Sequence, residues 1–178
     1  FSAVIMLMTS LINSEQLRST IMWLMGSIGE KSFSTLFVSA IFIIGGIIVL
    51  FTITQKLNVL TFGTSEAQSL GVNPKKITFA AFALASFITA VAVGLSGLVG
   101  FVGLVVPHSV RLVFGPDHRL LLPASALLGA AFVVICDTIA RTIIAPAQLP
   151  VGVITAIIGG PVFLILLSRY SKKVGTLR

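Results

Sequence analysis

The sequence predicts an all-helical bundle that spans a lipid bilayer, and three observations carry that prediction. Hydrophobic residues make up 56% of the 178 positions and charged residues only 10%, where a soluble domain carries about 25% charged residues. The twelve basic and five acidic side chains fall in short clusters separated by long neutral runs. Several of those runs reach the roughly 20 residues that a helix needs to cross a bilayer core about 30 Å thick. In lipid, only helices and closed barrels satisfy every backbone polar group, and uninterrupted apolar runs of this length belong to helices.

Residues 1–12 are apolar but too short to span, so they read as the tail of a span whose beginning precedes Phe1; the chain is expected to be a fragment. Residues 33–54 form a full span with Gly45 and Gly46 at mid-depth. Residues 57–73 are too polar to span yet carry Leu57, Val59, Leu60, Phe62, Ala67, Leu70 and Val72. Two short amphipathic helices broken at Gly63 are expected there, the second capped by Thr64 or Ser65 and closed by Gly71. Such a pair suits either a partner's groove or the lipid headgroups.

The apolar run 77–107 would be about 46 Å long as one helix, well beyond the bilayer core. Gly94, Gly97, Gly100 and Gly103 punctuate its second half, and glycine lets the backbone turn. The expectation is a span near 77–95 and a shorter returning one near 98–113. Residues 120–140 form a further span that carries Asp137, and 149–168 the last, followed by Arg169, Lys172, Lys173 and Arg178. With the split, segments 55–76 and 111–119 and the C-terminus share one side holding nine Lys or Arg, against three (Arg18, Lys31, Arg141) opposite. A single long span gives eight against four, so the positive-inside rule favours the split and makes the basic side cytoplasmic.

Other chemistries lack their signatures. The basic residues flank apolar runs instead of alternating with aromatics, so no nucleic-acid surface is expected. One cysteine, Cys136, gives neither a disulfide framework nor a metal knuckle. No metal spacing, nucleophile–base set or Gly-x-x-x-x-Gly-Lys phosphate loop is present, so no catalytic or metal-ligating residue is assigned. His108 reads as a helix-packing hydrogen-bond partner, and 115–119 as a turn.

The order of short motifs resembles the C-terminal half of the FecCD-type permeases, membrane subunits of ABC importers for ferric siderophores, haem and vitamin B12. The resemblance runs from Leu17-Arg18, Trp23 and Gly26-Ser27 through Leu57-Asn58, Gly63, Ala67 and Leu70-Gly71. It continues with 100–104, Pro107-His108, Arg111, Gly115, 117–119 and 121–123. It ends on Asp137, Arg141, 149–153, Thr155-Ala156, Gly159, Pro161 and Phe163. Two positions depart from the pattern: Gln148 replaces a frequent Glu, and Phe33 a frequent Trp.

The resemblance implies a type II ABC importer permease fold of ten spans. Residues 1–178 would supply one transmembrane domain from the end of the fifth span to the tenth, about six in all. It implies two ATPase subunits that bind ATP and Mg, a substrate-binding protein outside, and a second permease chain, either another copy or a related subunit. It further implies a bacterial or archaeal cytoplasmic membrane and no cofactor on this chain. The loop 57–72 would form the coupling helices that meet the ATPase, through Leu57, Asn58, Leu60, Gly63, Glu66, Ala67, Leu70 and Gly71. Arg141 would offer its guanidinium to the binding protein with Asp137, four residues away on the same helix face, positioning it. Met8, Arg18, Gly26 and Ser27 are the expected pathway residues, Arg18 facing an anionic cargo. An ion-coupled secondary transporter is the alternative, although such proteins place ionisable residues near mid-membrane, where these spans have almost none.

Overall fold

The computed structural model describes residues 2, 3, 6, 10, 12–145 and 147–175, with side chains described through Leu166 and at Ser168. Eight helices follow from residue 14 onward: α1 Ser14–Leu24, α2 Phe33–Thr52, α3 Thr54–Leu60, α4 Thr64–Ser69, α5 Pro74–Ser96, α6 Val102–Phe114, α7 His118–Thr142 and α8 Val151–Gly175. Three of them, α2, α5 and α7, are long and apolar enough to cross a membrane.

Local chemistry sets the boundaries. Ser32 caps α2 by accepting from the Thr35 N–H. Asn73 caps α5 by accepting from the Lys76 N–H, with Pro74 in the first turn, where its missing N–H costs nothing. The run 77–107 divides as its length and glycines require. Gly97 ends α5 at φ 69°, and Phe101 starts α6 at φ 66°. Phe101 is the one non-glycine with positive φ among the described residues. It is accommodated because a Cβ on Gly159 of α8 would fall on the Phe101 side chain; only glycine leaves that space open.

Two layers of packing result. α2 lies along α5, where Gly46 receives Ile88 and the Phe42 and Phe87 rings meet edge to face at 6.0 Å. α6, α7 and α8 pack together around two small cores. One joins Cys136, Ala140, Val151 and Ile154; the other joins Val106, Val110 and Leu121; Phe132 packs against both. Large apolar side chains such as Phe33, Phe79, Phe82 and Leu127 point outward, an arrangement that lipid tolerates and water does not.

Three expectations are corrected. The span expected at 33–54 ends at Thr52, and Thr54 already belongs to α3. Neither Thr64 nor Ser65 caps α4; the cap is Gly63, at φ 123°, with no side-chain bond. α1 was not expected as a helix. The half-buried His108 side chain makes no hydrogen bond among the described residues, where one is expected of it. The pathway candidate Met8, residues 1, 4, 5, 7, 9 and 11 and the basic side chains after Ser168 lie outside the described residues.

Candidate functional site

Two sites sit at opposite ends of the bundle, and long-range hydrogen bonds fix which segments share each end. At one end the Asn58 side chain of α3 reaches the first turn of α7. At the other, Arg141 near the end of α7 reaches the segment after α1.

The first end is built from α3, α4 and the start of α7. α3 ends in a tight turn, with the Gly63 N–H donating to Leu60 O. Gly63 is required by its backbone, because a side chain would be strained at φ 123°; the neighbouring Glu66 carboxylate, at the end of an exposed flexible side chain, could move aside. Gly71, at φ 76°, closes α4 as expected, with the Val72 N–H donating to Ala67 O. The Glu66 carboxyl is held below its ordinary value by a hydrogen bond from its own backbone N–H and one from the Ser65 hydroxyl at 2.9 Å.

Asn58 is the hub. Its Nδ2 donates to Asp117 Oδ1 at 2.6 Å, while its Oδ1 accepts from the His118 backbone N–H at 2.9 Å and faces His118 Nδ1 at 2.7 Å. Because the backbone N–H demands an acceptor, the amide orientation is set, and His118 must carry its proton on Nδ1. Asp117 also caps α7 by accepting from the Arg119 N–H at 2.9 Å. Those two bonds, the Arg119 one first, hold the Asp117 carboxyl below its ordinary value.

The coupling set expected from sequence is thus divided. Glu66, Leu70 and Gly71 are exposed, Leu57 and Leu60 are half-buried, and Ala67 is fully buried beneath α4. Ala67 packs within the loop, and the Asn58 side chain is bonded within the chain. Phe62, outside that set, is 75% exposed; a lone aromatic beside the loop glycine was the available signal.

At the opposite end a cleft of about 330 Å³ is lined by Arg18, Met22, Ser27, Ile28, Asp137, Arg141, Gln148 and the residues 149–151. Arg141 Nε pairs with Asp137 Oδ2 at 2.7 Å, and Nη2 donates to Ile28 O at 2.6 Å. The Asp137–Arg141 pairing expected from their spacing is present, and Arg18 and Ser27 share its cleft. Two arginines against one aspartate leave the rim net positive, and Gln148 adds no charge. Gly26 lies below, buried at a backbone crossing. The Ser27 N–H donates to Ser96 O at 2.8 Å, and a Cβ on Gly26, Gly97 or Gly152 would strike the backbone oxygen of Leu98, Trp23 or Met25 respectively. The signal for this knot was three glycines in three segments, but nothing local said that they meet.

This geometry has close counterparts. A model of the FecCD transport family matches residues 1–169. The chain is 42% identical to the hemin transport system permease protein HmuU of Yersinia pestis over 96% of this chain and 51% of that protein. It is 45% identical to the cobalamin import system permease protein BtuC of Halobacterium salinarum over 88% of this chain and 42% of that one. A solved structure described as an inward-facing conformation of a metal-chelate type ABC transporter superposes with a TM-score of 0.84 at 31% identity, covering 94% of this chain and 55% of that chain. The chain spans about half the length of the curated relatives it matches. With its motifs, its helices and its matched length in agreement, the chain belongs to the FecCD transport family.

Proposed function

We propose that the chain is part of the permease subunit of an ABC importer in the cytoplasmic membrane, moving an iron chelate (ferric siderophore or haem) or cobalamin. A separate ATPase, binding ATP and Mg, drives it from the α3–α4 end. A binding protein delivers cargo at the Arg18–Asp137–Arg141 rim, and a second permease copy completes the pathway. The observation that carries this reading is the α3–α4 loop. It is a glycine-hinged pair of short helices that exposes Phe62 and Leu70 at the basic end of the bundle. An exposed apolar pair on a short, rigidly closed loop is what a groove on a soluble partner can grip.

The chemistry of the spans supports a pathway powered from elsewhere. The middles of α2, α5 and α7 carry no charged side chain, Asp137 and Arg141 lying in the last two turns of α7, whereas ion-coupled carriers hold theirs near mid-membrane. ATP-driven opening and closing of the ATPase pair would move the α3–α4 loop and shift the bundle between its two access states.

The test is capture of the neighbouring ATPase by the full-length permease in detergent, with the loop intact and with Phe62→Ser and Leu70→Ser combined. Loop-dependent capture is expected. A well-folded permease that captures no ATPase would overturn the reading, and ion-dependent uptake would then be measured.

A further inference from the structure

The α3–α4 loop can drive the rest of the molecule only if something holds it to a long element, and Asn58 does so with its whole side chain. Asp117 already caps α7 from within its own segment. The next free donor of that first turn, the His118 N–H, is satisfied from α3, 60 residues away. Both ends of the Asn58 amide are engaged at 2.6 to 2.9 Å, and the His118 ring adds a third contact. α7 is continuous for 25 residues, about 37 Å at helical rise. Near its far end stand Asp137 and Arg141, and the Arg141 guanidinium is bonded across to Ile28 at the cleft.

Resting on the coupling reading of the loop, we propose that Asn58 is a positioning residue. Its carboxamide fastens α3 to the head of α7, so that movement of the loop travels along α7 to the Asp137–Arg141 rim. A rod with a polar joint at one end and a polar joint at the other passes displacement without needing a chain of rotamer changes between them. Apolar contact between α3 and α7 alone would allow sliding; three directional hydrogen bonds do not.

The experiment uses the full-length permease with its ATPase in liposomes and a reporter in the cleft, Met22→Cys. With any cysteine outside these 178 residues replaced, a membrane-impermeant maleimide reads the rim, because Cys136 is fully buried. Labelling rates are compared without nucleotide and with ATP plus vanadate. The parent is expected to differ between states by at least about threefold, the size of a modest population shift. Asn58→Ala should bring that ratio to about one while the ATPase still co-purifies and hydrolyses ATP. Asn58→Asp should do the same, because two carboxylates then face each other at the joint. Asn58→Leu keeps the volume of the side chain and removes all three bonds, and should do the same; retained ATPase capture and hydrolysis separate a lost joint from a misfolded permease. If the alanine variant does not accumulate, Asn58→Leu and Asn58→Asp answer the same question.

The proposal is overturned by an unchanged ratio in Asn58→Ala or Asn58→Leu, or by a parent whose rim is insensitive to nucleotide. Loss of ATPase capture in Asn58→Ala overturns it too, by making Asn58 a docking contact. A parent that captures no ATPase instead sinks the coupling reading beneath it.

Discussion

Replacing Gly152 by alanine adds one methyl group at the tightest backbone crossing in the bundle. That Cβ would overlap Met25 O and come within 3.0 Å of Leu98 O and 3.1 Å of the Met25 carbonyl carbon. Relief cannot come from a rotamer, since every obstructing atom is backbone and the atoms belong to two different segments. α8 must back away by ~1 Å to restore normal separations, which opens the core that Val151 and Ile154 share with Cys136 and Ala140. Overpacking of this kind costs about 1–3 kcal/mol; the rigid obstruction argues for the upper half, about 2 kcal/mol, or a midpoint lower by roughly 4–8 °C in a chain of this size. Cys136 is the single cysteine of the 178 residues and is fully buried in that core, so a fluorogenic maleimide in a thermal ramp reports the event directly. Gly129→Ala is the control. Its Cβ would lie 3.8 and 3.9 Å from Val102 and Val106, ordinary contact, and alanine favours the helix by about 0.5–1 kcal/mol. A Gly152→Ala midpoint equal to or above that of Gly129→Ala would refute the reasoning.

Three further outcomes are expected. Gly63→Pro forces φ near −65° on a residue found at 123°, so ATPase capture should fall by about tenfold or more at normal membrane abundance; normal capture would remove the loop from the interface. Arg141→Glu breaks the ties to Asp137 and Ile28 at a rim where Arg141 is 46% exposed, so screening holds the stability loss to about 1 kcal/mol. Docking of the binding protein should weaken by about tenfold at low salt and converge with the parent at high salt, and equal affinities in nanodiscs at low salt would count against the rim. The depressed carboxyls of Glu66 and Asp117 give an acid limit. A depressed value stabilises the folded form above the unfolded value and loses that contribution as pH falls through the folded one. Amide exchange over 63–71, where Glu66 is the sole titratable side chain, corrected for intrinsic rate, should therefore stay flat from pH 7 to 5 and rise only below 4.5, its ordinary value; a rise between pH 6 and 5 would contradict the assignment.

What the sequence made legible was set by range. The spans follow from run length and polarity, and the break near 97 from arithmetic on a run too long for one crossing. Gly63 and Gly71 mark the α3–α4 loop because positive φ is a local demand that glycine meets. The Asp137–Arg141 pair was readable for the same reason, since four residues on a helix is a contact by construction. α1 was missed because its 11 residues mix Glu15, Gln16 and Arg18 with apolar positions, and a helix that short has no strong periodic signal. The Asn73-Pro74 start of α5 was in plain view as a cap followed by a first-turn proline, and the hydrophobic run simply outweighed it.

What stayed hidden are the joints between distant segments: Asn58 on 117–118, Arg141 on Ile28 across 113 residues, and Gly152 under Met25. Nothing in a local window separates an asparagine that faces a partner from one that fastens two helices, because both are polar residues at the end of a short amphipathic turn. Yet a transport bundle has to concentrate such joints at its two ends. Between the ends the helices meet lipid or each other through apolar faces, whose contacts carry less direction than hydrogen bonds do. On the proposed coupling, directional bonds at the termini would let a helix act as a lever, and the pairs 58–117 and 28–141 stand at the two ends of α7, the longest span that reaches both sites.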